Sequence, residues 1–360
     1  KSILYTDSER LRDTIQSGVD EEEFNRSVML INDARRLYIL GARSAAYLAG
    51  LMGYYFKMMF DNKDFTPPLI NGVSASKVFL PQNISAPTIF EYLCQHFSHI
   101  QASEWQQRFA DQLIYAANGK KLKIDSIYTP NSHIFYYRFL AQETHVPFQH
   151  EILYENEHLL VVDKPHFLTM TPTGQYVQET LLVRLKKQTG YEDLTPIHRL
   201  DRETAGVVLF SKKTESRGIY QQLFAERKVQ KVYHAIAAYH PKLKFPQTVQ
   251  LHLEKGNPFY TMQINPEKPS NTETHIELLE HTQHKAKYLL KPKTGKQHQL
   301  RVHLNYLGIP ILHDPFYPTV QHKADDDFSC PLQLLAKQIQ FVDPISQQKM
   351  HFISNFELTL

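Results

Sequence analysis

Residues 198–206 read His198-Arg199-Leu200-Asp201-Arg202-Glu203-Thr204-Ala205-Gly206. One carboxylate, Asp201, stands between two arginines. Buried, such a group needs a paired cation, because an isolated charge loses its hydration. A guanidinium close by keeps a carboxylate ionised at neutral pH. An ionised Asp can then attack an electrophilic carbon, as in covalent glycosyl transfer. A loop salt bridge between Asp201 and a neighbouring arginine is the plainer reading of these residue types alone. Further along, Thr294-Gly295-Lys296-Gln297-His298-Gln299-Leu300-Arg301-Val302-His303 brings another arginine and two histidines.

The elements that must position these residues follow from apolar patterning. Leu159-Leu160-Val161-Val162 and Val207-Val208-Leu209-Phe210 are continuous apolar runs, the mark of strands buried on both faces. Val232–Ala238, Ala286–Leu290 and Ile339–Val342 add further strands, and helical spacing falls at 178–187, 215–226 and 298–307. Asp201 then sits on a loop at a sheet edge, with Gly206 letting the chain turn into the next strand. The expected class is α+β: a mixed, mainly antiparallel sheet with helices packed on it, over 151–360.

Upstream, residues 77–147 predict two helices, one from Ile89 after Pro87-Thr88 and one over Ser103–Phe109. Leu113-Ile114-Tyr115 ahead of Asn118-Gly119 predicts a small hairpin. Pro67-Pro68 and Asn71-Gly72 mark 63–76 as a linker. Residues 1–62 read as a helical or α/β extension: helix to Ala34, strand Leu37–Leu40, loop Gly41-Ala42-Arg43-Ser44, then helix Ala45–Met59. Such a strand, loop and helix N-terminus form a common anion cradle.

The 360 residues are 42% hydrophobic, with 21 Phe and 20 Tyr, so the chain can bury a large core. Net charge is only +3, yet residues 196–233 hold eight Lys/Arg against four acids, and 291–303 hold four against none. Basic segments beside candidate chemistry suit a phosphate backbone. Two cysteines, Cys94 and Cys330, exclude a disulfide framework or a four-cysteine zinc site and imply a reducing, cytoplasmic setting. No run reaches the ~18 apolar residues of a membrane span. G-x-S-x-G is absent, and Gly295-Lys296 lacks the glycine of a P-loop. Histidines 281, 284, 298, 303 and 313 lack the companions of a zinc motif.

Four ordered segments carry a resemblance. Leu160–Pro165, His198–Gly206, Lys231-Val232-Tyr233-His234-Ala235 and Thr294–Leu304 resemble the motifs of the RluA family of pseudouridine synthases. Gly308-Ile309-Pro310-Ile311, Asp314, Pro331–Ala336 and Phe341-Val342-Asp343-Pro344 continue the match. Residues 77–147 resemble the αL RNA-binding module that often precedes this catalytic domain, and 1–62 resemble the opening of a SIS (sugar isomerase) domain.

The resemblance implies isomerisation of uridine in rRNA or tRNA, with no cofactor or metal and with RNA as partner of a monomer. Asp201 becomes the catalytic aspartate acting on the glycosidic carbon. Arg301 pairs with it, Tyr233 stacks on the uracil, and Leu300 packs against the base. Arg199 enters the space left by the flipped uridine. His198, Arg202, Lys164, Lys296 and His298 join the substrate-binding set. His166-Phe167 departs from the small-residue-Gly pair many members carry, and Ala205 stands where Ser is frequent. A catalytically silent RNA-binding protein on the same fold, and a sugar-phosphate sensor led by residues 1–62, are the alternatives.

Overall fold

The computed structural model describes residues 65–138 and 143–360. The elements expected within 1–62 lie outside the described residues. The chain divides into two compact units, Lys1–Thr66 with Tyr115–Lys121, and Pro67–Ile114 with Leu122–Leu360. In the described part of the first unit, Asn118-Gly119 forms a turn. The Gly119 N–H donates to Ala116 O, and Gly119 takes φ +83°. The expected hairpin is short: Tyr115 bridges Lys121, and the Ala116 N–H donates to Lys120 O at 2.8 Å.

The second unit begins with β1 (Ser76–Leu80), α1 (Ile89–His96), α2 (Ala102–Ala110) and β3 (Ser132–Tyr136); of β2 (Ile114–Ala116) only Ile114 belongs to it. Thr88 caps α1 by accepting from the Glu91 N–H at 3.2 Å. β1 runs antiparallel to β3, from Ser76 opposite Tyr136 to Leu80 opposite Ser132. Trp105, Leu93, Leu80 and Ile134 form the core of this part.

The remaining strands are β4 (Glu151–Glu155), β5 (Leu159–Lys164), β6 (Thr195–Pro196), β7 (Ala205–Ser211), β8 (Gln230–Ala238), β9 (Gln247–Leu251), β10 (Leu253–Lys255), β11 (Met262–Ile264), β12 (Thr272–His281), β13 (Lys285–Pro292), β14 (Leu334–Val342) and β15 (Lys349–Ile353). Ten of them make one sheet among the described residues, in the order β4-β5-β7-β14-β8-β13-β12-β9, with β15 on β14 and β6 on β7. Its pairings are antiparallel except β7 with β14, which is parallel. β10 and β11 form a separate hairpin.

Among the described residues, three helices cover this sheet: α3 (Leu181–Thr189), α4 (Thr214–Ala225) and α5 (Gln299–Tyr306). Side chains alternate faces along a strand. Leu160, Val162, Val208 and Phe210 meet Leu181 and Leu185 of α3. Leu159, Val161, Val207 and Leu209 meet Tyr220 and Leu223 of α4. Both faces are therefore covered, which is why these strands read as unbroken apolar runs. Each such side chain contributes about 1.5–3 kcal/mol on burial. α5 lays Leu300, Val302 and Leu304 against Ala235, Tyr288 and Leu290 of β8 and β13.

Two expectations change. β7 lies inside the sheet rather than at an edge, so the Asp201 loop feeds a central strand. Gly206 is a strand residue, not a turn into one. It takes φ +116°, and a Cβ there would lie 2.3 Å from Ala336 O, across the parallel pairing with β14. Only glycine tolerates that approach.

Candidate active site

Asp201 opens a tight turn that ends where β7 begins. The Thr204 N–H closes it on Asp201 O at 3.1 Å. The turn's two central carbonyls are held from the end of β5. The Lys164 ammonium donates to Arg202 O at 3.1 Å, and also to Pro165 O and Leu168 O. His166 donates from Nδ1 to Glu203 O at 2.7 Å, its pKa pushed down to about 4 by burial, which keeps the ring neutral. The strand-end Lys-Pro segment thus fixes the backbone that presents Asp201.

Lys164, expected among the substrate-binding residues, lies off the lining of the cavity at Asp201. Its side chain is wholly buried, and its three protons are used on carbonyls. Burial pushes its pKa down to about 7. Arg202 also leaves Asp201: its guanidinium lies over Tyr176 and Phe167, at 5.1 and 5.6 Å from the ring centroids, and pairs with Glu203 at 2.5 Å. His198 is a brace as well as a wall. Its Nε2 accepts from the Leu209 N–H at 3.2 Å and its ring stacks on Phe224. Burial lowers its pKa to about 3, so it carries no charge.

Arg301 reaches Asp201, although its main partner is another residue. Its Nε and Nη2 grip Asp314 at 2.8 and 2.6 Å, and Nη1 lies 3.5 Å from Asp201 Oδ2. Arg301 and Asp314 are buried, while Asp201 keeps 25% of its side chain exposed. Phe316 and Tyr317 lie against the guanidinium at 4.8 and 5.4 Å. Asp314 in turn accepts from the backbone N–H groups of Phe316 and Tyr317. Arg301 is thereby clamped on all sides and offers one nitrogen to Asp201.

His298 supplies the second contact. It adopts φ +53° just before α5, and its Nε2 lies 3.6 Å from Asp201 Oδ2. Burial lowers its pKa to about 4. The Tyr317 hydroxyl accepts from the Met262 N–H at 2.8 Å, leaving its own proton for His298 Nδ1 at 2.9 Å. A neutral His298 then carries its proton on Nε2, facing Asp201. Gln299 anchors this corner. Its amide donates to Glu273 O and Thr274 Oγ1 and accepts from Thr294 Oγ1 and the Lys296 N–H.

Tyr233 and Lys231 project from the same face of β8. Both line a cavity of about 690 Å³ with Asp201, Leu300, Arg199 and Lys296. Burial raises the Tyr233 pKa, and the charge of Asp201 raises it further, so the phenol keeps its proton. Burial pushes the Lys231 ammonium down. Arg199, Arg227, Lys293 and Lys296 are exposed around the rim. The site is therefore a carboxylate at the base of a cationic, partly apolar cavity, suited to a polyanion with a planar ring.

The remaining histidines serve separate ends. His303 is buried with its Nε2 2.8 Å from Thr272 Oγ1, His281 stacks on Tyr239, and His313 meets Pro331 O. Among the described residues, no three His, Cys, Asp or Glu side chains converge in a way that could hold a metal. Sequence reasoning quotes Asp314 and Lys231 without a role and misses Tyr317. Arg301 on the inward face of α5 is the signal for Asp314, since a buried guanidinium requires a carboxylate.

Residues 158–306 match the family model described as RNA pseudouridylate synthase. The chain is 33% identical over 217 residues to ribosomal large subunit pseudouridine synthase C of Vibrio cholerae, covering 59% of this chain and 67% of that one. It is 34% identical over 218 residues to the dual-specificity RNA pseudouridine synthase RluA of Pasteurella multocida, covering 56% and 91%. A solved structure, human RNA pseudouridylate synthase domain containing 1, aligns at 25% identity with a TM-score of 0.48, covering 60% and 86%. The chain belongs to the RluA family of RNA pseudouridine synthases.

Proposed function

We propose that this chain converts uridine to pseudouridine in rRNA or tRNA, with Asp201 acting on C1′ of a uridine turned out of its helix. The carrying observation is the position of Asp201. Its backbone is pinned by Lys164 and His166, and its carboxylate faces Arg301 Nη1 and His298 Nε2 in an open cationic cavity. Family membership makes the reaction an isomerisation of RNA uridine. The N1–C1′ bond breaks and a C5–C1′ bond forms; C5 gives up a proton and N1 gains one, so nothing is oxidised.

Arg301 and His298 offset charge at the carboxylate as it attacks and is released. Tyr233 stacks on the uracil, with Leu300 below the base. While Asp201 is charged the Tyr233 phenol holds its own proton; once that charge is spent in the glycosyl bond, the phenol can give its proton to N1 and take the C5 proton in exchange. Arg199, exposed beside Asp201, fills the space of the flipped base. Lys296 and its basic neighbours hold phosphates. Residues 77–147, with their own core, act as the RNA-binding module ahead of the 151–360 catalytic domain. The free thiols Cys94 and Cys330 suit the cytoplasm, and the chain acts as a monomer in this reading.

The test is a pseudouridine map of total RNA from cells with and without this protein. The proposal expects discrete positions that vanish with the protein and return when it is restored. Identical maps would contradict it.

A further inference from the structure

A second cavity, of about 1160 Å³, meets the first at Asp201, Arg199, His298 and Arg301. The two form one groove with Asp201 at the junction. The first arm is rimmed by cations. The second is walled by rings, among them Tyr176, Phe167, Tyr260 and Phe316.

The ring series continues outward. His298 lies 5.5 Å from Phe316 by ring centroids, Phe316 lies 5.3 Å from Tyr260, and Tyr260 lies 5.6 Å from Phe259. Phe259 ends the series 80% exposed, the most exposed large apolar side chain among the described residues. Phe259 is not an isolated surface side chain: through Tyr260 and Phe316 it is continuous with the rings that wall the site.

This exposure is not the result of a loose loop. Phe259 sits in the turn between β10 and β11, closed by Gly256 N–H on Thr261 O at 3.0 Å. Thr261 donates both its N–H and its hydroxyl to Pro258 O. The turn is also tied to the site. Gln297 donates to Tyr260 O at 3.2 Å and accepts from Lys255 at 2.7 Å, and Met262 donates to the Tyr317 hydroxyl that meets His298.

We infer that Phe259 and Tyr260 form a stacking platform for an unpaired nucleotide next to the target uridine. The inference rests on the enzymatic reading above and deepens it by giving the base beside the target uridine a subsite of its own, on the turn between β10 and β11. Nucleobases stack on exposed aromatic faces with little sequence preference. Lys255 and Lys296, near the same turn, supply cations for the backbone that such a nucleotide brings. Phe259 is a positioning residue, since it lies away from Asp201 and touches no reacting atom.

The test uses the full chain, with Phe259→Ala and Phe259→Trp variants. The probes are a fluorescein-labelled 12-nucleotide uridine-rich single strand and a blunt 12-base-pair RNA duplex, read by anisotropy. We expect Phe259→Ala to weaken single-strand binding about 5- to 100-fold, the range for loss of one base stack. Duplex binding stays within about twofold, Phe259→Trp restores single-strand binding, and KM for pseudouridine formation rises with kcat held. Equal single-strand affinity for Phe259→Ala and wild type overturns the platform, as does an equal loss on duplex. Failure of the parent reading shows separately, as a wild-type chain that makes no pseudouridine in any RNA.

Discussion

Asp314 grips Arg301 with both carboxylate oxygens, at 2.6 and 2.8 Å, and leaves Asp201 one nitrogen at 3.5 Å. The guanidinium is therefore aimed before substrate arrives. Two carboxylates share one buried cation, and only the exposed one, Asp201, is open to chemistry. Removing the other would free the cation from its main partner and leave it only the longer contact to Asp201.

Asp314→Ala should therefore cost about 3–5 kcal/mol of stability, as for any broken buried ion pair. Because a misplacement near 1 Å costs on the order of 100-fold in rate, turnover should fall by about that factor. Urea denaturation and single-turnover rates check both. A variant with wild-type midpoint and rate would show that Arg301 needs no clamp.

Gly206→Ala places a Cβ 2.3 Å from Ala336 O in a strand whose φ is +116°. The strain and the clash together should cost about 3 kcal/mol or more. The chain should lose its cooperative melt or become insoluble. A soluble variant melting with wild type would contradict the β7–β14 geometry.

Acid should destabilise the fold in a defined window. Burial lowers the pKa values of His166, His298 and His303 to about 4. An unfolded chain takes up those protons below about pH 6.5, while the folded chain refuses them until about 4. The contribution is complete above 6.5, declines as pH falls through that interval, and levels off below 4. Melting temperatures from pH 7.5 to 4 should show the decline. His303→Gln, which cannot titrate, should make it shallower; an unchanged slope would contradict the burial of a neutral His303.

Lys296→Ala should weaken RNA binding evenly across sequences and lower the salt slope by about 1, the signature of one lost phosphate contact. Binding measured at several salt concentrations checks this. A sequence-selective loss with an unchanged slope would place Lys296 at a base instead.

Much of this fold was legible in the sequence because its signal is local. Leu159–Val162 and Val207–Phe210 announce doubly covered strands through composition alone. What escaped depends on distant partners. Gly206 reads as a turn until Ala336 is set beside it. Lys164 reads as a substrate cation until Arg202 O and Leu168 O are found holding it inside. Arg202 looks like a partner of Asp201 in sequence, yet it turns onto Tyr176 and Glu203. His166, an oddity in its motif, proves to donate to Glu203 O and steady the turn. Within the proposed site, Asp201, Arg301 and Tyr233 were expected from the family resemblance of their motifs; the contacts of Asp314, Tyr317 and Lys231 needed the tertiary structure that brings three elements together.

The most direct measurement is pseudouridine formation by Asp201→Asn, with RNA binding followed in parallel. The carboxamide keeps the size and cannot act as a nucleophilic carboxylate. The account predicts a rate lower by on the order of 10³-fold or more, with affinity for RNA within a few-fold of wild type. Pseudouridine formed by Asp201→Asn at a rate near that of wild type would contradict the assignment of the chemistry to Asp201.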